Sequence, residues 1–472
     1  MSEATSQPRR LGLNACAALM VGNIVGAGIF LTPAVVAKAS PDVTTYLGLW
    51  IVGAVIAIAG AMVVTELGTL YPRAGGDYVF LDKAFGRSVA YAWGILSIFA
   101  TFAGSIATLA VGAGDTLAQT SFGAVFTEPV VSLGSWTLTG GTLLALSLVW
   151  LTTFANCRSV RLVGWLQGLL TWGPITAYAL IGICVLVMPS VEMTQSAAAA
   201  APREGVSGGL TAAFCAVFFT YSGWNVLTYM GGEIRSPSRT IPRAILFGMV
   251  ATLSIYLLLN IAFVGTLSLK TIAATPNVGV AVALHLFGDS GADIFALVMT
   301  VAILAGLNVT VMAGSRIFLA MAADGFISTR IGALDPKRGT PVRALWLQAA
   351  WTTLPVLTGS FTWLVTMTGS VMILLSCLTI AALCVLRGRG EKAPYQTWGY
   401  PWLPAAYVAT GLAVLAVSIG EDGGMLAAGV AAFLVIALTH QAWTRLRGTR
   451  QLSQQVRPID VISQVHGGPN LP

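Results

Sequence analysis

The stretch GNIVGAGIFLTP, residues 22–33, carries Gly22, Gly26 and Gly28 inside an apolar run over about 13–37. Three glycines weaken a helix where a spanning segment needs its hydrogen bonds closed. Irregular backbone at membrane depth is tolerated only where it lines a cavity or is buried in protein. Two readings are open for this segment alone. Gly22 and Gly26, four apart, can let helices pack closely, or the glycines can open a gap. A second segment bears on the choice. AFCAVFFTYSGWNVLTYMGGE, residues 213–233, puts the polar and small residues 220–225 at mid-span, with Gly223 at the weak point. A broken helix exposes free N–H groups at one internal end and free C=O groups at the other, with opposite partial charges. Hydrogen bonds to charged ligand groups contribute about 1.5–3 kcal/mol each. Two such gaps can grip a carboxylate and an ammonium without an ionised side chain in the bilayer. A zwitterion suits them, and an α-amino acid is the obvious candidate.

The elements that must position these gaps follow from composition. The chain has 472 residues, 56% hydrophobic and 9% charged, against about 25% charged in soluble domains. It reads as an all-α integral membrane protein. No stretch reads as a cleaved signal peptide. Twelve spans are expected near 13–37, 46–70, 88–118, 137–155, 162–188, 208–234, 242–266, 292–322, 343–359, 362–386, 402–420 and 424–444. With the N-terminus cytoplasmic, 22 of the 25 Lys and Arg residues fall inside, and Lys38, Arg203 and Lys270 fall outside. That bias fits the positive-inside rule. It also removes nucleic acid as the explanation of the +7 net charge. Residues 1–445 form one transmembrane domain, followed by a polar, disordered cytoplasmic tail over 446–472. The alanine run 197–201 sits in an external loop with no assigned function. Segment 275–287 is too short to span and reads as a short helix over the outer mouth. The six cysteines, Cys16, Cys157, Cys184, Cys215, Cys377 and Cys384, lie in or beside apolar segments and read as free thiols.

Helices 1–5, about 13–188, and helices 6–10, about 208–386, form two repeats, with two extra helices over 402–444. Five is odd, so the second repeat is inverted. Interrupted helices at matching places of inverted repeats point to a transporter site.

At these residues the chain resembles the amino acid–polyamine–organocation (APC) superfamily. It is most similar to bacterial amino acid permeases related to the L-type amino acid transporters. The matching words are GNIVGAGIF, TELGTLYPRAGGDYVFL (65–81), FFTYSGWN with GGEIRSPSRTIPRAI (231–245), AGSRIFLAMAADG (313–325) and YQTWGYPWLP (395–404). The resemblance implies the leucine-transporter fold, a five-plus-five inverted repeat with helices 1 and 6 broken, and a site between helices 1, 3, 6 and 8. By position, the amides around Gly26, Ala27 and Gly28 hold the substrate carboxylate. The carbonyls of Ile24, Phe219 and Ser222 take its ammonium. Val25, Thr220 and Tyr221 complete the two gaps. Phe219 matches the aromatic gate that closes over substrate from outside, and Asn225 the polar position after the helix 6 break. Ser105 and Thr108 match side-chain pocket positions on helix 3.

The chain departs from some branches. Pro174, in LQGLLTWGP, stands where proton-coupled and L-type relatives carry a lysine. Helix 8 has no tryptophan, and Asn225 replaces the glutamate of the arginine–agmatine exchangers, which argues against a cationic substrate. Residues 119–136 contain no cysteine, so no disulfide-linked heavy subunit is expected. Trp224 reads as packing. Glu66, near the inner end of helix 2, reads as pairing with a basic neighbour before proton transfer. Glu233 and Arg235 are candidates for an inner ion-pair gate. Arg316 is expected to pair with Asp324 or a loop acid, and Asn308 is a candidate substrate contact. Asp115 is expected to reach the outer interface. Ser315 is a weak candidate sodium ligand. His285, His440 and His466 lack metal-ligand spacing, and no cofactor or nucleotide-binding motif is present.

The sequence therefore reads as a secondary amino acid carrier of the cell inner membrane, working by alternating access with both termini cytoplasmic. A neutral amino acid exchanger or uniporter is expected. The alternatives are proton- or sodium-coupled symport and a cationic amino acid or polyamine antiporter. An enzyme would need a catalytic cluster that the spans lack. A channel would need rings of like residues from symmetric subunits. A receptor that binds without transport stays open until flux is measured.

Overall fold

The computed structural model describes residues 9–455 apart from 27, 135, 159, 188–208 and 360. The chain is mostly helical. Among the described residues, seven helices are long and apolar enough to cross a membrane: Val43–Leu70, Arg87–Leu117, Gly164–Val187, Pro237–Thr266, Val278–Ala323, Val371–Gly388 and Ala427–Thr444. Leu13–Ile24 and Gly28–Ala39, bent by 41°, make an eighth if counted as one span. Gly140–Asn156 and Trp402–Ala416 are shorter apolar helices. Arg203, the alanine run 197–201 and the tail beyond 455 lie outside the described residues.

These helices are apolar on every side, as buried-in-lipid elements must be. Val43–Leu70 turns Trp50, Ala54, Ala57 and Ala61 inward, while Ile51, Val52 and Val55 are exposed on its outer face. Its start is capped by Asp42, which accepts from the Thr45 N–H at 2.7 Å, and such caps contribute about 1 kcal/mol. Small residues let the inner faces meet. A Cβ on Gly22 would lie 2.5 Å from Gln167 Nε2, and one on Gly60 would lie 2.8 Å from Trp224.

Three segments differ from the sequence reading. Residues expected to begin the fourth span form an antiparallel hairpin, Pro129–Leu133 with Trp136–Thr139. The helix starts only at Gly140, because Thr139 caps it by accepting from the Thr142 N–H. Second, the short helix expected over 275–287 runs from Val278 directly into the following span. Gly288, at φ 69°, breaks the helical backbone between them, a left-handed conformation that glycine adopts without a Cβ penalty. Third, helix Trp402–Gln455 is assigned without interruption, through the first ten residues assigned to the tail. Yet Cβ atoms on Gly411 and Gly429 would both meet one short stretch of another helix, at Ile373 and Val371 respectively. Eighteen residues of straight helix would separate these glycines by about 27 Å. The helix therefore folds back between them.

The Arg87–Leu117 span contains a π-helical stretch, Ser97–Phe102. Such bulges rotate the following residues and are frequent at functional sites. Here Ser97, Thr101 and Phe102 face the central cavity.

Candidate functional site

The two glycine-rich breaks meet. The first falls between Leu13–Ile24 and Gly28–Ala39. The second falls between Gly209–Thr220 and Val226–Tyr229, where Gly223 takes φ 103°. Asn23 Nδ2 donates to the Gly223 carbonyl at 2.9 Å, and Asn23 Oδ1 accepts from Thr310 at 3.3 Å. The carbonyl ends of both first halves converge on one hydroxyl. Tyr256 Oη lies 2.8 Å from the Ile24 carbonyl and 3.3 Å from that of Thr220. Beyond the breaks, the Thr32 and Thr220 hydroxyls are 2.8 Å apart.

The meeting point opens on a cavity of about 560 Å³. Its walls are largely apolar, as expected for a small-molecule pocket. Of the residues named from sequence, Ile24, Gly26, Gly28, Ser105, Thr108, Phe219, Thr220, Ser222 and Asn225 line it. The Gly26 N–H donates to Ile24 O at 3.0 Å and the Ser222 N–H to Phe219 O at 3.0 Å. One amide in each break thus donates to a carbonyl of its own break. Thr108 spends its donor on the Gly104 carbonyl at 2.8 Å. Ser97 Oγ, Thr101 Oγ1 and Thr368 Oγ1 also line the cavity and have no hydrogen-bond partner among the described residues. The Phe219 ring faces the Phe361–Gly388 helix, where a Cβ on Gly369 would lie 3.7 Å from its edge.

Sequence reasoning missed Asp77, a buried carboxylate at the cavity wall. Gly75 and Gly76, at φ 112° and 50°, turn the chain between two spans so that Asp77 begins the Asp77–Phe85 helix there. Its Oδ2 accepts from Asn225 Nδ2 at 2.8 Å and from the Tyr229 hydroxyl at 2.9 Å. Its Oδ1 has no hydrogen-bond partner among the described residues. An ionised carboxylate only accepts, so Asn225 must turn Nδ2 toward it, leaving Oδ1 as the amide atom able to accept from a ligand. Burial pushes the Asp77 carboxyl up to about 6, and the hydrogen bonds from Tyr229 and Asn225 pull it down. An Asp opening a helix reads from sequence as an ordinary first-turn acid, which hid it. Asn23 and Tyr256 were missed as single polar residues in apolar runs.

Several expectations are corrected. Val25 and Tyr221 do not line the cavity; both are buried. Tyr221, just past the end of the Gly209–Thr220 helix, packs against Trp50 and Tyr256 instead. Ala27 lies outside the described residues. Asn308 is sealed in a side-chain network, donating to Gln167 Oε1 at 2.8 Å and accepting from Asn156 at 2.7 Å. The Ser315 hydroxyl donates to the Met312 carbonyl and accepts from Arg316, so a buried guanidinium would repel sodium there. Trp224 packs edge-on against Tyr407 and also touches the cavity.

The charged candidates lie outside the cavity lining. Glu66 is held by Arg387, at 2.8 and 2.7 Å, and by the Thr397 N–H at 2.7 Å. Glu233 does not pair with Arg235. It pairs with Arg316, which in turn does not reach Asp324, through Nε at 2.9 Å and Nη2 at 3.3 Å. Both partners are buried. Arg235 Nε donates to the Arg9 carbonyl at 3.3 Å. The Glu233 carbonyl accepts from the N–H groups of Arg10 and Leu11 at 2.8 and 2.9 Å. The chain before the first broken helix is thereby tied to the chain after the second. Among the described residues, Cys16, Cys157, Cys184, Cys377 and Cys384 form no disulfide; the Cys215 side chain lies outside the described residues.

Comparison with known proteins gives a consistent result. The family described as amino acid permease matches residues 11–439. The large neutral amino acids transporter small subunit 2 of Mus musculus is 29% identical over 82% of this chain and 72% of its own length. The serine/threonine exchanger SteT of Bacillus subtilis (strain 168) is 25% identical over 89% of this chain and 93% of its own length. The Asc-type amino acid transporter 1 of Mus musculus is 26% identical over 82% and 72%.

Proposed function

Because the chain belongs to the amino acid permease family, we propose that this multi-pass membrane protein is a secondary carrier that moves neutral amino acids by alternating access, as an exchanger or uniporter. One observation carries the reading: both helix breaks open on a single cavity and touch each other there through Asn23 and Gly223. A ligand that binds both gaps must change the relation between the two broken helices. The names of the relatives, large neutral amino acid transporter and serine/threonine exchanger, support the substrate class. So does the cavity, where hydroxyls, two amides and one carboxyl are set among apolar walls. Twelve spans in two inverted repeats, cytoplasmic termini and residence in the cell inner membrane complete the reading. The fold-back between Gly411 and Gly429 supports the last two spans, and the basic residues support the orientation.

A second reading, proton-coupled symport, is favoured by Asp77, a buried carboxyl on the cavity wall. The test is uptake into reconstituted vesicles with a panel of competing amino acids, with and without internal substrate. Stimulation by internal neutral amino acids is expected for exchange. Uptake driven by an imposed proton gradient with empty vesicles would favour symport, and saturable binding without flux would reject a carrier.

A further inference from the structure

A second cavity, of about 840 Å³, lies apart from the central one. Its floor is Leu13–Ile24, through Asn14, Ala17 and Ala18. Its walls come from Val160–Val187, through Gly164, Trp165, Gly168 and Trp172, and from Pro237–Thr266, through Arg243 and Phe247. Arg10 closes one end. All three helices begin at this end, so the groove sits at one membrane face.

Its chemistry is divided. Along the helices it is apolar and open to the outside: Trp165 is 69% and Phe247 53% exposed. The Trp172 and Phe247 rings meet at 6.1 Å and bridge the two walls. At the helix starts it is basic. Among the described residues, Arg10 and Arg243 have no side-chain hydrogen bond, ion pair or ring contact. Two unneutralised guanidinium groups above an aromatic, lipid-facing slot match one kind of molecule in charge and in shape. Arginine pairs with phosphate oxygens through its planar fork, and basic pockets between spans at the cytoplasmic face take anionic headgroups.

We propose that this groove binds an anionic phospholipid, with its phosphate at Arg10 and Arg243 and an acyl chain along Trp165, Trp172 and Phe247. The slot is open beside Gly168, where a Cβ would meet nothing within 4 Å.

The test uses the full-length protein in detergent, titrated with phosphatidylglycerol and followed by native mass spectrometry. Phosphatidylcholine and inorganic phosphate are run in parallel. Phosphatidylglycerol is expected to bind in preference to both. Arg10→Gln and Arg243→Gln should each weaken it about fivefold, and the pair about 25-fold. Gly168→Leu, which fills the apolar slot, should weaken it with no fall in melting temperature. Equal retention of phosphatidylcholine, wild-type affinity in the double variant, or capture of inorganic phosphate alone would each overturn the proposal.

Discussion

Asn23 and Gly223, two hundred positions apart in the chain, are joined by a 2.9 Å hydrogen bond from the Asn23 amide to the Gly223 carbonyl. It connects the last turn before one helix break to the centre of the other. The Asn23 amide is oriented by Thr310 on its other side. Asn23→Ala removes the brace and leaves a carbonyl without its donor, at a cost of about 1–3 kcal/mol. Substrate affinity should fall roughly 5- to 150-fold by that arithmetic. Equilibrium binding of a neutral amino acid measures it, and unchanged affinity would separate the brace from the site.

The glycines of the first break serve different ends, and substitution should show it. A Cβ on Gly22 collides with Gln167 and Thr171, whereas one on Gly26 finds only Leu109, at 3.7 Å. Gly22→Ala should destabilise the fold by about 1–3 kcal/mol and lower the melting temperature. Gly26→Leu should leave melting close to wild type and abolish binding, because its side chain enters the cavity. The opposite pattern would reverse the two assignments.

Phe219 is half-buried on the cavity wall and lies close to Gly369. Phe219→Ala should cut transport at least tenfold with little loss of folded protein. Vesicle uptake read beside a melting curve tests this, and full uptake would remove the ring from any gating role.

The buried pair of Glu233 and Arg316 predicts a non-additive cycle. Removing one partner strands a charge, which costs about 3–5 kcal/mol. Glu233→Gln and Arg316→Met should each lower stability by that order. The double variant should be less destabilised than the two singles added together. Additive losses in denaturant unfolding would mean the two groups do not interact.

What the sequence reveals about this molecule follows the range of each signal. The breaks were legible because glycines in an apolar run violate a local rule, and Gly26, Gly28, Phe219 and Ser222 line the cavity. The partner of Arg316 was not. Asp324 is near in sequence, but Glu233 lies 83 positions away and is brought in by tertiary packing alone. Tyr221 was grouped with its neighbours because residues 220–222 read as one gap, yet its ring packs against Trp50 and Tyr256 while Thr220 and Ser222 line the cavity. The last helix shows a similar limit: the sequence places a break between spans 402–420 and 424–444, while the contacts of Gly411 and Gly429 are what demand the reversal.

Asp77 gives the pH dependence a sign. Its carboxyl titrates near 6 because burial disfavours the charged form. Above that pH it only accepts, so Asn225 offers Nδ2 to Asp77 and Oδ1 to the cavity. Below it, the protonated carboxyl can donate to Oδ1, and the amide can turn Nδ2 toward the substrate instead. An ammonium or hydroxyl ligand needs an acceptor. Affinity should therefore rise by roughly two- to tenfold between pH 5 and 7, about the value of one hydrogen bond. Stability should move the other way. The folded state holds this proton more tightly than the unfolded chain, so it loses stability as pH rises from 3.8 through about 6. Asp77→Asn keeps the size of the side chain and removes the charge. It should flatten the affinity profile and remove this group's share of the stability slope. Binding and melting measured across pH 5–7 on both proteins decide it, and a wild-type profile in Asp77→Asn would assign the titration to another group.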